Sequence, residues 1–253
     1  MKLQEKKAQA LSVIDFEADA NVGFDEMTQE DYALPFLRVL TSTSPEIGVL
    51  DGAIPGMIYN SVTQELFDGK KGISVIPAAY VRQYIEWAPR GSGSGAPINI
   101  YPSSSDILSK THKEPGDNKD YLDSGNYLEN TANHYVMVLQ NGIPAPALIV
   151  MKSTQLKKSR QWNSMMLANK RKAKDGRQFT PPPFANVYKI STTQESNDKG
   201  KWFGWKIELE SEVTDVNHYQ AAKEFAESIK AGSVEVKHGQ EEASSKDAEN
   251  TPF

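Results

Sequence analysis

The sequence predicts a mainly β protein with some helix, of the α+β class. Several runs alternate apolar and polar residues with the two-residue period of a strand, and residues 72–87 form the longest. Two other stretches, residues 155–174 and 216–230, carry apolar residues at helical spacing. At 253 residues the chain is long enough for one sizeable core with decorations, or for two small domains.

The long strand, GISVIPAAYVRQYIEW, separates into two predicted faces. The odd positions form a face suited to a core: Ile73, Val75, Ala79, Val81, Ile85 and Trp87. The even positions of its second half form a predicted open face: Tyr80, Arg82, Tyr84 and Glu86. An exposed ring beside a guanidinium suits a nucleobase next to its phosphate. A half-buried strand without a ligand is the ordinary alternative, and Pro77 indicates a bulge that would reset the alternation.

Charge is strongly segregated along the chain. Between residues 150 and 206, thirteen Lys or Arg stand against three Asp or Glu, a net charge of +10. The rest holds fifteen basic and thirty acidic residues, a net charge of −15. This separation favours a polyanion-binding region with acidic flanks. The alternative is a basic helix that is merely solvated.

Composition excludes several classes of site. With no cysteine there is no disulfide and no thiolate-bound metal. The sequence contains no run of eighteen apolar residues, so no membrane span is expected, and the N-terminal stretch lacks the apolar block of a signal peptide. The four histidines show no metal-ligand spacing. We therefore expect a cytoplasmic protein without a cofactor, metal or catalytic residues.

The order of segments predicts three regions. Residues 1–30 are polar and acidic and predict a flexible arm, and residues 31–232 predict the nucleic-acid-binding domain. Within that domain a small hairpin is expected over 57–67, and residues 88–130 read as a long loop system with little regular structure. Residues 233–253 are too polar and acidic to fold and predict a disordered tail.

A basic helix is expected after two further strands, 134–140 and 147–152, that a turn at Asn141-Gly142 connects. Ser153 or Thr154 would cap this helix, which is expected to run from residue 155 to about 174. The cations expected to meet phosphate on and beside it are Lys152, Lys157, Lys158, Arg160, Lys170, Arg171 and Lys172. Trp162, Met165, Met166 and Leu167 are expected on the opposite, packing side.

The last predicted elements are a hairpin over 184–210 and a helix over 216–230. Trp202, near the hairpin tip, is a candidate stacking platform or a tryptophan packed at the rim. Asp215 or Thr214 would cap the final helix and Gly232 would end it. Packing on the sheet is expected for this helix, and a homodimer contact is the alternative.

The chain ends on Pro252 and Phe253, although a disordered tail has no folding reason to finish on an aromatic ring. The preceding acids are Glu241, Glu242, Asp247 and Glu249. This ending resembles the acidic C-terminal tip of single-stranded DNA-binding proteins of bacteria and tailed phages. The acid block is weaker here, because Lys246 interrupts it and Asn250 and Thr251 stand near the end.

The resemblance implies an OB-fold-like antiparallel β-barrel that coats single-stranded DNA. It also implies a tail, with Glu249, Pro252 and Phe253, that recruits replication or recombination proteins. Stacking on rings and pairing with phosphates would make such binding independent of sequence. Three alternatives stay open: strand annealing or recombination mediation, a structural or adaptor role in the virion, and a nuclease that uses carboxylates such as Asp106, Asp117 and Asp120.

Overall fold

The computed structural model describes residues 16–28, 31–89, 91–92, 94–140, 142–197, 200–234, 236 and 238. The chain divides into two units, Met1–Tyr32 and Ala33–Phe253. The described part of the first unit is a series of exposed turns, in which the backbone N–H of Thr28 donates to the Asp31 carboxylate at 2.8 Å. The flexibility of the N-terminal arm stays a prediction.

The second unit is mainly β and carries two helices among its described residues, which confirms the α+β class. The helices are α1 (Leu156–Ala168) and α2 (Val216–Lys230). The strands are β1 (Phe36–Val39), β2 (Ile58–Asn60), β3 (Leu66–Phe67), β4 (Ile73–Trp87), β5 (Asn99–Pro102), β6 (Asp120–Tyr121), β7 (Tyr127–Gln140), β8 (Ile143–Lys152), β9 (Arg171–Lys172), β10 (Gln178–Phe179), β11 (Asn186–Asn197) and β12 (Gly200–Glu212). Neither helix in this described set is long and apolar enough to cross a membrane.

Ten strands form one sheet in the order β12-β11-β4-β7-β8-β1-β2-β3, with β5 beside β4 and β6 beside β7. Among the described strands of this sheet, β1 and β8 run parallel and the other pairs are antiparallel. The sheet curls into a half-barrel. This is the expected kind of architecture, but it does not establish an OB-fold, which stays a prediction.

The two ends of the curled sheet meet where β11 passes the turn after β3. Thr192 on β11 donates its backbone N–H to the Gly69 carbonyl at 2.7 Å, and its hydroxyl to the Gly56 carbonyl at 2.5 Å. An ideal Cβ on Gly69 would lie 1.8 Å from the Gly56 carbonyl oxygen. Only glycine therefore fits at this closing contact.

Each face of the sheet is covered by one helix. We call the face that carries Val136 and Ile149 the inner face; α1 packs on it through Trp162, which is fully buried. The opposite, outer face carries Met137, which clusters with Ala222 of α2. The predicted bounds of α2 and its Asp215 cap are confirmed, since that carboxylate accepts from the backbone N–H groups of Asn217 and His218.

Three local predictions are wrong. Residues 88–130 contain β5, a 3-10 turn at Ile107–Lys110, β6 and the start of β7, because β4 is long enough to pair with both β5 and β7, and β7 in turn pairs with β6. The helix ends at Ala168 rather than near 174. Neither predicted cap bonds its start: a 3-10 turn, Ser153–Gln155, precedes it, and the Gln155 side chain instead accepts the Trp205 backbone N–H at 3.0 Å.

Candidate nucleic-acid interface

A bulge in β4 decides which side chains the strand presents on each face. Pro77 pairs with Val136 and Ala79 pairs with Tyr135, so Ala78 is the extra residue. Residues paired directly across an antiparallel ladder lie on the same face. The inner face therefore receives odd-numbered residues before the bulge and even-numbered residues after it. The expected bulge at Pro77 is confirmed, and the prediction of one continuous odd-numbered core face is wrong.

Tyr84 and Glu86 do not lie on an open face, and this part of the prediction is wrong. Tyr84 is only 5% exposed, because Ile107 and Leu122 of the long insertion pack around its ring. Glu86 is also buried, and its carboxylate accepts from the Tyr101 hydroxyl at 2.6 Å and from Asn126 at 2.6 Å. The insertion that resembled a polar loop thus covers the far end of the inner face.

Tyr80 and Arg82 remain exposed between the two covered parts of the inner face. The Tyr80 ring is 38% exposed. The Arg82 guanidinium donates to the Asn130 side-chain oxygen at 3.0 Å and to the Tyr84 hydroxyl at 3.0 Å, and lies 5.4 Å from the centre of the Tyr84 ring. Both hydrogen-bond partners are neutral, so they orient the guanidinium without cancelling its charge.

Behind Tyr80 lies a chain of rings that leads into the core. The Tyr80 ring centre is 5.0 Å from that of His134, its direct partner across the β4–β7 ladder. His134 stacks on Trp162 of α1 at 4.5 Å with 15° between the planes, and Trp162 meets Tyr188 of β11 edge to face. We call these four residues the ring chain. No pattern in the sequence pointed to it, since its members lie on four separate elements.

His134 is held in its neutral form inside this chain. Its Nε2 lies 2.8 Å from the hydroxyl of Ser159, while its Nδ1 has no hydrogen-bond partner within the described part of the chain. Burial lowers the pKa of His134 from 6.5 to about 3. An imidazolium would need an acceptor for both N–H groups, and the Nδ1 side has none among the described residues.

Helix α1 turns its basic side away from the sheet, as predicted for its first half. Lys157 and Arg160 are exposed, and no ion pair between described residues includes either of them. Lys158 differs, because its ammonium lies 2.6 Å from the carboxylate of Glu195 on β11. That carboxylate also accepts from the Trp202 indole at 3.0 Å.

The remaining predicted cations lie beyond the helix, on and beside the two-stranded ribbon of β9 and β10. Placing Lys170, Arg171 and Lys172 on the helix was wrong, because the chain leaves it at Ala168. An Asp-Gly turn signal at 175–176 in the sequence could have predicted this hairpin. Arg171 is anchored by the Ala185 carbonyl and by Glu212, at 3.3 Å each, whereas Lys170, Lys172 and Lys174 are exposed.

The ribbon also presents an aromatic ring that sequence analysis missed. Phe179 is 42% exposed and pairs directly with Arg171, so both side chains lie on one side of the ribbon. Residues 156–178 as a whole hold eight Lys or Arg and one Asp, a net charge of +7. Arg177 is exposed but pairs with Asp175 at 3.8 Å. We call the exposed cations of this segment that form no ion pair with a described residue, Lys157, Arg160, Lys170, Lys172 and Lys174, the basic surface.

Two predicted contact residues lie apart from this surface. Lys152 pairs with Thr131 on the outer face and forms a largely buried ion pair with Glu129 at 3.0 Å. Trp202 is half-buried and its indole N–H is engaged by Glu195. A contact between either residue and nucleic acid stays a prediction.

The tail residues Glu249, Pro252 and Phe253 lie outside the described residues. Within the region predicted as a tail, the structure describes His238, whose buried ring meets Phe36 edge to face at 6.3 Å. Metal chemistry gains no candidate, since the described residues contain no group of three or more acidic, His or Cys side chains that could hold an ion. The expected lack of enzyme activity stays a prediction.

Comparison with known proteins places almost the whole chain in one family. The model of a family described as Pam3 phage gp34-like protein matches residues 4–235. No curated protein matches the chain. No solved structure matches it either.

Proposed function

Because the chain belongs to the Pam3 phage gp34-like protein family, we propose that it is a phage protein that binds single-stranded DNA without sequence preference during replication or recombination. The observation that carries this proposal is the basic surface. Five exposed cations lie on one helix and the ribbon that follows it, and no ion pair between described residues includes them. A protein with a net charge of −5 keeps such a region unneutralised when it has a polyanionic ligand.

Phosphate contacts would supply most of the affinity. Each lysine or arginine that pairs with a phosphate releases condensed counterions, and the logarithm of the binding constant falls by roughly 0.7 per contact per logarithm of salt for single strands. Five contacts predict a slope of about −3.5. This contribution is the same for any base.

Exposed rings beside arginines favour single strands over duplex. Phe179 lies next to Arg171 on the ribbon, and Tyr80 lies two positions from Arg82 on the inner face. Aromatic faces stack on bases that are splayed out, which paired bases are not. Both rings therefore have a use with single-stranded DNA that they lack with duplex.

One observation favours duplex DNA as a second candidate. The ribbon is a two-stranded antiparallel element with cations along it, and the major groove of DNA admits an element of this size. Binding of the ribbon in a groove would use the same lysines, so the two candidates differ in substrate rather than in surface.

The decisive measurement compares a single-stranded oligo-dT with a duplex of equal length at several salt concentrations. We expect preference for the single strand and a salt slope of about −3.5 or steeper, since any phosphate contact outside the basic surface adds to the five. The variant Lys157→Ala/Arg160→Ala should make the slope shallower by about 1.4, because two phosphate contacts are lost. The matched control, Lys223→Ala/Lys230→Ala, removes two cations from α2 and should leave the slope unchanged.

Two results would overturn the proposal. Stronger binding to the duplex would favour the second candidate function, which is binding of duplex DNA. No binding to either substrate at low salt would remove nucleic acid as the ligand and favour a structural or adaptor role in the virion. Recruitment of replication or recombination proteins by Glu249, Pro252 and Phe253 is part of the proposal and rests on the sequence alone.

A further inference from the structure

Tyr80 and Arg82 have a geometry that packing alone does not explain. Both side chains lie on the inner face, two positions apart on β4, and so are separated by about 7 Å along the strand. They are exposed where the neighbouring inner-face residues of the same strand, Val75 and Tyr84, are buried. The bulge is what places them on this face rather than on the one that α2 covers.

We propose that Tyr80 and Arg82 form a subsite for one nucleotide of a single strand, with the base stacked on the Tyr80 ring and its phosphate bound by the Arg82 guanidinium. This inference rests on the proposed function. It adds one defined base-stacking position and one phosphate contact to those of the basic surface.

The Tyr80 ring is preorganised for stacking by the ring chain behind it. His134 contacts its inner side at 5.0 Å, and His134 is itself fixed by the stack on Trp162 and by the Ser159 hydroxyl at 2.8 Å. A ring held in this way loses little conformational freedom when a ligand binds. A base on the exposed side of Tyr80 would extend the series of rings by one member.

Arg82 is likewise prepared to bind an anion. Its guanidinium is oriented by Asn130 and by the Tyr84 hydroxyl, both at 3.0 Å, and no ion pair between described residues includes it. An exposed guanidinium that is oriented by neutral partners and carries an uncompensated charge suits the bidentate recognition of phosphate.

The test compares two single strands of the same length and charge, oligo-dT and an oligomer in which every base is absent. With the full chain, Tyr80→Ala should weaken binding to oligo-dT by roughly 5- to 100-fold and leave binding to the abasic strand unchanged. Tyr80→Phe retains the ring and should bind like the wild type. Arg82→Gln should weaken both strands and make the salt slope shallower by about 0.7.

Tyr219→Ala is the matched control, because Tyr219 on α2 is 37% exposed, almost the same as Tyr80. It should bind both strands like the wild type. Thermal unfolding of each variant separates loss of the subsite from loss of the fold, and Tyr80→Phe keeps the test informative if the alanine variant is unstable.

Equal weakening on both strands, or no change, in Tyr80→Ala would overturn the subsite. Binding of free dTMP as tightly as of oligo-dT would also overturn it, since the site would then serve a free nucleotide. These failures differ from failure of the proposed function, in which the wild type does not bind oligo-dT at all or prefers the duplex.

Discussion

At the scale of single residues, His134 makes folding depend on pH. The unfolded chain takes up a proton on this imidazole near pH 6.5, whereas burial lowers the pKa of His134 in the fold to about 3. Its contribution to stability is therefore complete above about pH 6.5 and is lost as the pH falls from there towards 3. The free energy of unfolding should decrease by up to roughly 1.4 kcal/mol per pH unit below 6.5.

Urea unfolding at pH 7.5, 6.5, 5.5 and 5.0 measures this loss. Backbone N–H groups hold the pKa of Asp68 and Asp215 below 3.8, so protonation of those carboxylates affects stability only below the pH range of this measurement. His134→Phe keeps a ring against Trp162 and cannot be protonated; its stability should be lower at pH 7.5 and flatter with pH. His218→Asn should retain the wild-type dependence. Equal slopes in wild type and His134→Phe would disprove the assignment.

The sequence predicted correctly that Tyr80, Arg82 and Tyr84 share one face of β4, but it did not predict which of them are exposed. Tyr80, Arg82 and Tyr84 read alike because they share a period of two. Tyr84 is buried because a segment some twenty to forty residues away, around Ile107 and Leu122, folds over it. Burial by distant segments leaves no mark in the local pattern, so periodicity predicts which residues share a face and not what covers them.

At the scale of elements, Glu195 connects α1 to the β11–β12 hairpin and neutralises one cation beside the basic surface. It accepts from Lys158 and from Trp202. Glu195→Gln keeps an acceptor for the indole and removes the charge that competes with phosphate. We expect tighter binding to oligo-dT at low salt and a salt slope steeper by about 0.7, as one more phosphate contact forms.

A titration of oligo-dT at several salt concentrations checks this, with Glu227→Gln as the control. Glu227 lies 3.9 Å from Lys223 on α2, away from the basic surface, and its replacement should change nothing. Unchanged binding in Glu195→Gln would show that Lys158 does not face the ligand.

The bounds of helix α2 were predictable to the residue, because Asp215 and Gly232 mark its ends. The end of α1 was not, because the cations Lys170, Arg171 and Lys172 continue its charge pattern and were therefore read as part of the helix.

At the scale of the whole molecule, stability depends on the closing contact of the half-barrel. A Cβ on Gly69 would lie 1.8 Å from the Gly56 carbonyl oxygen and 2.2 Å from the Thr192 hydroxyl, so three chain segments would have to separate. We expect Gly69→Ala to lower the free energy of unfolding by about 3 kcal/mol, the upper range for overpacking. Gly52→Ala, which adds a methyl group in open space at a φ of +77°, should cost only about 1 kcal/mol of backbone strain.

Thermal or urea unfolding of the two variants measures the difference in stability, and equal stabilities would show that the two ends of the sheet separate without cost.

The order of strands in the sheet could not be predicted from the sequence for a related reason. The contacts that close the sheet join Thr192 to Gly69 and to Gly56, which lie 123 and 136 residues earlier in the chain, and each looks like an ordinary turn or strand position on its own. The fold class can be predicted from the hydrophobic periodicity within single elements, whereas the order of strands depends on contacts between residues that are far apart in the chain.

The surplus residue in β4 also makes some positions of this strand more tolerant of deletion than others. Removing Ala78 would leave every later side chain opposite its present partner on β7, with only the local bend lost. Removing Val81 would instead invert Arg82, Tyr84 and Glu86, sending them to the side that α2 occupies. A one-residue deletion in β4 is therefore compatible with function only at the bulge, where this strand has one residue more than its partner β7.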